Sequence, residues 1–231
     1  MSRIKKSRGP KAAAVIVGMI SPSIVKRAIS NGADLLEVRI DTFRDKKPEV
    51  LAASLKDLKK SCKLPIILTI RSRAEGGQAH LDDDTRISLF NTLIPFAEYV
   101  DIEISSSGIL KNVVKSAKKD GKKVIASHHD FKSTPDDKKL NKIIDSGLSS
   151  GADIVKIATY VNTPDDLRRL VRLPSSRDNL IVIGMGAFGA ASRVFFPMIG
   201  SLFSYGSITG KTAPGQLSLR DLKREFKRYG F

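Results

Sequence analysis

The stretch "ADIVKIATYVNTPDDLRRLVRL", residues 152–173, holds one strand, one helix and the signals that separate them. Ile154, Val155 and Ile157 form a β-branched run after a Gly-Ala-Asp turn, the mark of a strand covered on both faces. Thr163 then offers a cap, Pro164 a first helical turn, and Asp165 and Asp166 the acids that suit a helix N-terminus. Lys156 interrupts the apolar run. A lysine there has two ordinary explanations: it snorkels from an edge, or it pairs with a carboxylate. The functional alternative is an amine desolvated until it serves as a nucleophile.

The same unit recurs outward in both directions. Apolar runs appear as "AVIVGMI", "LLEVRI", "PIILTI", "YVDIEI", "KVIASH", "DIVKIA", "LIVIGM" and "SLFSYGSI", eight strand candidates in all. Helical signals lie between them in "SPSIVKRAISNGA", "KPEVLAASLKDLKKS" and "LDDDTRISLFNTLIPFA". "TPDDKKLNKIIDSGL" repeats the start signal of residues 163–166 and predicts a Thr134 cap. "QLSLRDLKREFKRYG" closes the chain as an amphipathic helix with Leu217, Leu219, Leu222 and Phe226 inward. Strict β-then-α alternation implies parallel strands joined by crossover helices. Eight units in 231 residues fit a single-domain (β/α)8 TIM barrel. An open doubly wound sheet would show a glycine-rich phosphate turn after the first strand, and "VGMISPS" has none. The expected division is a basic extension over residues 1–12, disordered, and a barrel over 13–231.

Composition narrows the class. Hydrophobic residues at 41% and charged residues at 28% suit a soluble globular chain with a full core. No window approaches about 18 consecutive apolar residues, so no membrane partner is expected. Cys62 is the single cysteine, which rules out an internal disulfide and a cysteine-rich metal site, and a cytoplasmic location follows as the default. The net charge of +16 comes from lysines spread over segments such as "KDLKK", "KSAKKDGKK" and "DDKKLNK", in helical or linker patterns. With no zinc-finger spacing, no aromatic-interleaved basic strand and no tryptophan, no nucleic-acid partner is expected. A small anionic substrate would gain from the field.

Alternation along the strands then selects candidate residues. In "LLEVRID", Leu36, Val38 and Ile40 share one face, and Glu37, Arg39 and Asp41 the other. In a parallel barrel the apolar face meets the helices, so the charged face points inward near the C-terminal mouth, where this fold keeps its active sites. A mutually paired ion cluster is the competing explanation. Ile67, Thr69 and Arg71 share a face in the third strand; Asp101 and Glu103 alternate with Ile102 and Ile104 in the fourth. His128 and His129 point to opposite faces, and Ile154, Lys156 and Ala158 share one. The loop "RAEGGQ" reads as a tight turn at a ligand mouth, and "TGKTAPGQ" has the composition of a lid.

Taken in order, "EVRID", "TIRSRAEGG", "SHHDF", "ADIVKIA", Ser192–Arg193, Gly200–Ser201 and "APGQ" resemble the type I 3-dehydroquinate dehydratases, from the second strand to the last helix. That resemblance implies a (β/α)8 barrel, a homodimer, and no metal or cofactor. It implies dehydration of 3-dehydroquinate to 3-dehydroshikimate, in the shikimate pathway of aromatic amino-acid biosynthesis, through a lysine imine. Lys156 would be the imine-forming residue, its amine made nucleophilic by burial and by surrounding arginines. His129 would be the general acid and base, and Glu75 the carboxylate that orients it. Glu37, Arg39, Arg71, Arg193, Thr212, Gln216 and Met185 would bind the substrate, with Arg193 on its carboxylate. Two departures stand out: Thr212 where many members have serine, and Gly18 where some have serine. Two other functions compete. A sugar-phosphate aldolase would use the glycine-rich "GMGAFGAAS" as a phosphate site, and a nucleic-acid binder would rest on charge alone.

Overall fold

The computed structural model describes residues 9–231, and most of the expected basic extension lies outside them. β1 (Ala12–Val17) opens the sheet, one residue earlier than the expected barrel boundary. α1 (Pro22–Ser30), β2 (Leu35–Arg39), α2 (Pro48–Ser61), β3 (Ile66–Thr69), α3 (Asp83–Leu93) and β4 (Tyr99–Glu103) follow. Next come α4 (Ser107–Lys119), β5 (Lys123–Asp130), α5 (Asp137–Ser149), β6 (Ile154–Tyr160), α6 (Pro164–Ser176) and β7 (Leu180–Met185). Two short helical turns, α7 (Gly186–Gly189) and α8 (Ser192–Phe195), precede β8 (Ser204–Ser207) and α9 (Leu219–Arg228).

All strand pairings are parallel, and the sheet runs β7-β6-β5-β4-β3-β2-β1-β8. The seam between β7 and β8 closes ahead of the last strand. The Leu202 N–H donates to the Leu180 carbonyl at 2.9 Å, and the Val182 N–H donates to Ser201 Oγ at 3.0 Å. Gly200 makes that approach feasible. Its φ is +126°, and a Cβ there would stand 2.2 Å from the Pro174 carbonyl oxygen. The Gly200–Ser201 pair thus closes the barrel.

Three apolar layers follow from the alternation. Outward side chains such as Leu36, Val38, Leu68 and Ile102 pack under α1 to α4 and α9. Val155, Ile157, Leu180 and Val182 meet α5 and α6 through Leu140, Ile144 and Leu170. Ala13, Val15, Ile67, Ile125, Ile154, Ile181 and Tyr205 fill the barrel interior. In α9, Leu219, Leu222 and Phe226 are buried; Leu217, expected within the helix, precedes its Ser218 cap and packs partly buried against the same core.

Two details refine the sequence expectation. The lysine-rich segment before β5 is a full helix, α4, with Ile109, Leu110, Val113, Val114 and Ala117 buried. The repeated start signal has two outcomes. Thr163 caps α6 in a capping box with Asp166, whereas Asp136 caps α5 by accepting from the Lys139 N–H at 2.7 Å. Thr134 is instead tied to β6, donating to the Tyr160 carbonyl at 2.8 Å. No helix among the described residues is long and apolar enough to cross a membrane.

Candidate active site

The C-terminal ends of the strands surround one narrow cavity. Glu37 and Arg39 reach it from β2, Arg71 and Glu75 from the end of β3 and its loop, His129 from β5 and Lys156 from β6. Met185 closes β7, Arg193 projects from α8, and Thr212 and Gln216 come from the β8–α9 loop. All ten candidate residues line this one cavity. Gly18 is not in its lining, so that departure lies away from the site. His128 turns outward, as parity requires, and its Nε2 is buried without a partner among the described residues.

The floor is a charge lattice built by register. β4 and β5 set Asp101 beside Ile125 and Glu103 beside Ser127; β5 and β6 set Ser127 beside Lys156. Arg71 donates to Asp101 at 2.8 Å, to Glu103 at 3.0 Å and to Ser127 Oγ at 2.6 Å. Arg86, from α3, reaches Glu103 at 2.6 Å. The Lys156 amine lies 3.3 Å from Asp101 and 3.8 Å from Glu37, with the Tyr205 ring centre 4.1 Å away. Three cations therefore face three carboxylates. Burial opposes the charge on Asp101 and Glu103, but Arg71, with Lys156 on the first and Arg86 on the second, holds both below the usual carboxylate range. The expected ring of arginines is corrected here: carboxylates touch the amine, and Arg71 stands one layer behind them. The paired-carboxylate explanation of a buried lysine holds in the resting structure.

His129 is arranged differently. Glu75 Oε2 accepts from its ring Nδ1 at 2.9 Å and from its backbone N–H at 2.8 Å, and Ser105 Oγ donates to the other carboxylate oxygen. With Glu75 ionised, Nδ1 carries the proton and Nε2 keeps a lone pair. Burial drives the imidazole well below its ordinary value, and Arg71, Lys156 and Arg39 add to the shift. Burial also raises the Glu75 carboxyl.

Arg39 forms a fork on Asp41, with both bonds at 2.9 Å, and Asp41 also accepts from the Arg71 and Gln78 N–H groups. Arg193 has no such partner. It is 2% exposed, it donates to the Pro214 carbonyl at 3.2 Å, and its Nε is unpaired. No carboxylate pairs with it among the described residues, and burial alone pushes it down to about 10. The loop over it is tied down. Gln216 Oε1 accepts from the Thr212 N–H at 2.7 Å and from its hydroxyl at 3.3 Å. Gly215, at φ +71°, lies so close to α7 that a Cβ would be 2.5 Å from the Gly186 carbonyl oxygen.

The sequence model described as Type I 3-dehydroquinase matches residues 22–228. The chain belongs to the type I 3-dehydroquinase family. It is 36% identical over 218 residues to the 3-dehydroquinate dehydratase of Methanothrix thermoacetophila, covering 93% of this chain and 90% of that one. It is 37% identical over 222 residues to that of Pyrococcus abyssi, covering 94% and 99%. The crystal structure of the Aquifex aeolicus 3-dehydroquinate dehydratase superposes with a TM-score of 0.85 at 32% identity, over 95% of this chain and 99% of that one.

Within this type I 3-dehydroquinase, sequence reasoning left Asp101 and Tyr205 out of the candidate set. Asp101 shares the inner face of β4 with Glu103, so alternation had already turned it inward. Tyr205 follows Phe203 at the inward spacing of β8, a signal obscured by the small residues around it. Phe131, which also lines the cavity and stacks on His129 at 6.5 Å, follows β5 in a turn where strand parity no longer applies.

Proposed function

We propose that the protein dehydrates 3-dehydroquinate to 3-dehydroshikimate through an imine on Lys156. The observation that carries this reading is one cavity holding a buried lysine, a neutral histidine fixed by a carboxylate, and a buried arginine that no carboxylate among the described residues pairs with. The lysine nitrogen attacks the substrate ketone; the carbonyl oxygen leaves as water and a protonated imine remains. That imine is an electron sink for the neighbouring C–H bond. His129 Nε2 removes the proton; the C–H electron pair becomes the C=C bond of an enamine, and the C=N π pair passes to nitrogen. Return of the pair expels the hydroxyl β to the former carbonyl, protonated by His129 as it leaves. Water then hydrolyses the imine and frees the lysine, for a net loss of one water.

Glu75 keeps Nε2 as the basic nitrogen and stabilises the imidazolium between the two proton transfers, the role of the acid in a catalytic triad. Arg193 supplies a guanidinium fork for the substrate carboxylate. Glu37, Arg39 and Arg71 face its hydroxyls, Met185 packs on the ring, and Gln216 and Thr212 cover it. A carboxylate substrate is favoured over a sugar phosphate because the unpaired cation is a single buried fork. The resemblance that implies this activity also implies a homodimer, and a cytoplasmic location accords with the single, buried Cys62.

Borohydride added during turnover of 3-dehydroquinate tests the proposal, since it reduces an imine to a stable amine. We expect a substrate-derived mass on the peptide containing Lys156, absent in Lys156→Ala. No adduct together with no 3-dehydroshikimate would overturn it.

A further inference from the structure

Asp101 lies outside the residues that the imine reading uses, yet it makes the closest polar contact of the nitrogen on which that chemistry turns. It is fully buried on β4. Its Oδ1 accepts from Arg71 at 2.8 Å and from Ser127 at 2.7 Å, which fixes the carboxylate plane and leaves Oδ2 to the Lys156 amine at 3.3 Å. Glu37 is farther, at 3.8 Å, and the same oxygen already accepts from Thr69 at 3.0 Å. The Tyr205 ring covers another side of the amine.

We propose that Asp101 is the dedicated counterion of the reacting nitrogen, pairing with the ammonium of the free enzyme and then with the iminium formed on the substrate. The inference rests on the imine reading above and deepens it. The nitrogen carries a positive charge as ammonium, loses it when a proton passes to His129 Nε2 and the lone pair attacks, and stays neutral in the carbinolamine. Departure of water restores the charge in the iminium. Removal of the α-proton neutralises it again in the enamine, and expulsion of the β-hydroxyl as water restores it once more. A carboxylate held ionised by Arg71 does not take up the proton. It acts as a fixed anion that favours every charged form over every neutral one. It therefore has two opposed effects: it slows the first attack by favouring the ammonium, and it deepens the electron sink by favouring the iminium.

Asp101→Asn separates these effects, because the amide keeps its shape and still accepts from Arg71 and Ser127. In the ligand-free protein at neutral pH, formaldehyde with borohydride methylates free amines, and peptide mass gives the rate at Lys156. We expect that rate to rise about tenfold or more in the variant, the consequence of removing an opposite charge at this range. During turnover of 3-dehydroquinate, the borohydride-trapped fraction and kcat should each fall about tenfold, with KM nearly unchanged. A role in shape alone predicts slower methylation and slower turnover together, so unchanged or slower methylation at Lys156 overturns the proposal. If Asp101→Asn does not fold, Ser127→Ala frees the carboxylate from one restraint and should move methylation and trapping in the same directions by about threefold. No change there overturns it equally. Failure of the imine reading would appear separately, as wild-type protein that forms no adduct with 3-dehydroquinate. The methylation arm uses no substrate and still decides whether Asp101 controls the amine.

Discussion

Arg71 and Arg193 belong to different walls of the same cavity. Both are almost wholly buried, and their surroundings differ completely. On the β2–β6 wall, Arg71 joins Asp101, Glu103 and Ser127; burial opposes its charge, but the carboxylates outweigh that and raise it above its ordinary value. Across the cavity, β7, β8 and β1 contribute Ile181, Ile183, Tyr205 and Val15 to the interior, and no carboxylate among the described residues pairs with Arg193. One wall satisfies itself; the other keeps a desolvated cation in reserve. A buried charge without a partner costs several kcal/mol, so its persistence in a well-packed barrel points to a ligand that completes it. The charges that organise the protein and the charge proposed to receive substrate are thus separated in space.

The largest expected effect comes from the residue that belongs to both roles. Lys156→Ala removes the proposed nucleophile, and kcat should fall about 10⁵-fold, as when an enzyme loses its covalent residue. Because Asp101 and Glu37 then lose a cation, the variant should also be less stable, which a denaturant midpoint would show. The arginine pair gives the sharper contrast. Arg71→Met leaves Asp101 and Glu103 buried without their shared guanidinium and should destabilise by about 3–5 kcal/mol. Arg193→Met removes an unpaired buried cation, so its midpoint should be unchanged or higher, while kcat/KM falls by about 10²–10³. Equal loss of stability in the two variants would end the distinction between the walls.

Much of that distinction was readable along single strands. The alternation of Leu36, Val38 and Ile40 with Glu37 and Arg39 places the charges inward once the strands are parallel, and each candidate residue does reach the cavity. What alternation cannot supply is the neighbour across the strand. Lys156 meets Asp101 because two separate register choices, β4 with β5 and β5 with β6, bring them together. A count of arginines along the chain does not reveal that carboxylates lie between. Thr134 and Thr163 open identical tetrapeptides, yet only Thr163 is a cap, because β6 offers Thr134 a carbonyl to bind. In α4 the lysines leave helix and linker equally open on composition, whereas Ile109, Leu110, Val113, Val114 and Ala117 carry the helical period.

His129 sits on the charged wall, on β5, and its pH behaviour should show it. Burial, then Arg71, Lys156 and Arg39, keep the ring neutral below its ordinary value of about 6.5. The base form therefore survives acidification, and the acid limb of kcat/KM assigned to His129 should fall below that pH. The stability consequence has the opposite cost. As pH drops through about 6.5 the unfolded chain takes up a proton that the folded ring refuses, so stability falls by up to about 1.4 kcal/mol per pH unit until the folded ring titrates. His129→Asn should remove that slope from the denaturation midpoint. An acid limb above 6.5 for the wild type would mean that the neighbouring carboxylates, not the cations, set the field at His129.

The smallest effect should come from Thr212. Gln216 Oε1 binds this residue twice, and the shorter bond, at 2.7 Å, comes from the backbone N–H, which no side-chain change removes. The hydroxyl bond is longer, at 3.3 Å. The loop's position is also set elsewhere, by Gly215 against Gly186 and by Arg193 on the Pro214 carbonyl. Thr212→Ser keeps the hydroxyl and should change kcat/KM by less than about twofold, below 0.5 kcal/mol. Thr212→Val deletes the hydroxyl bond at nearly constant volume and should cost about 0.5–1.5 kcal/mol, read as a rise in KM of about two- to tenfold with kcat held. Gln216→Ala loses both bonds at once and should exceed it. If Thr212→Val were instead as damaging as Gln216→Ala, the hydroxyl would be holding the loop, and the apolar wall would owe its closure to that one side chain.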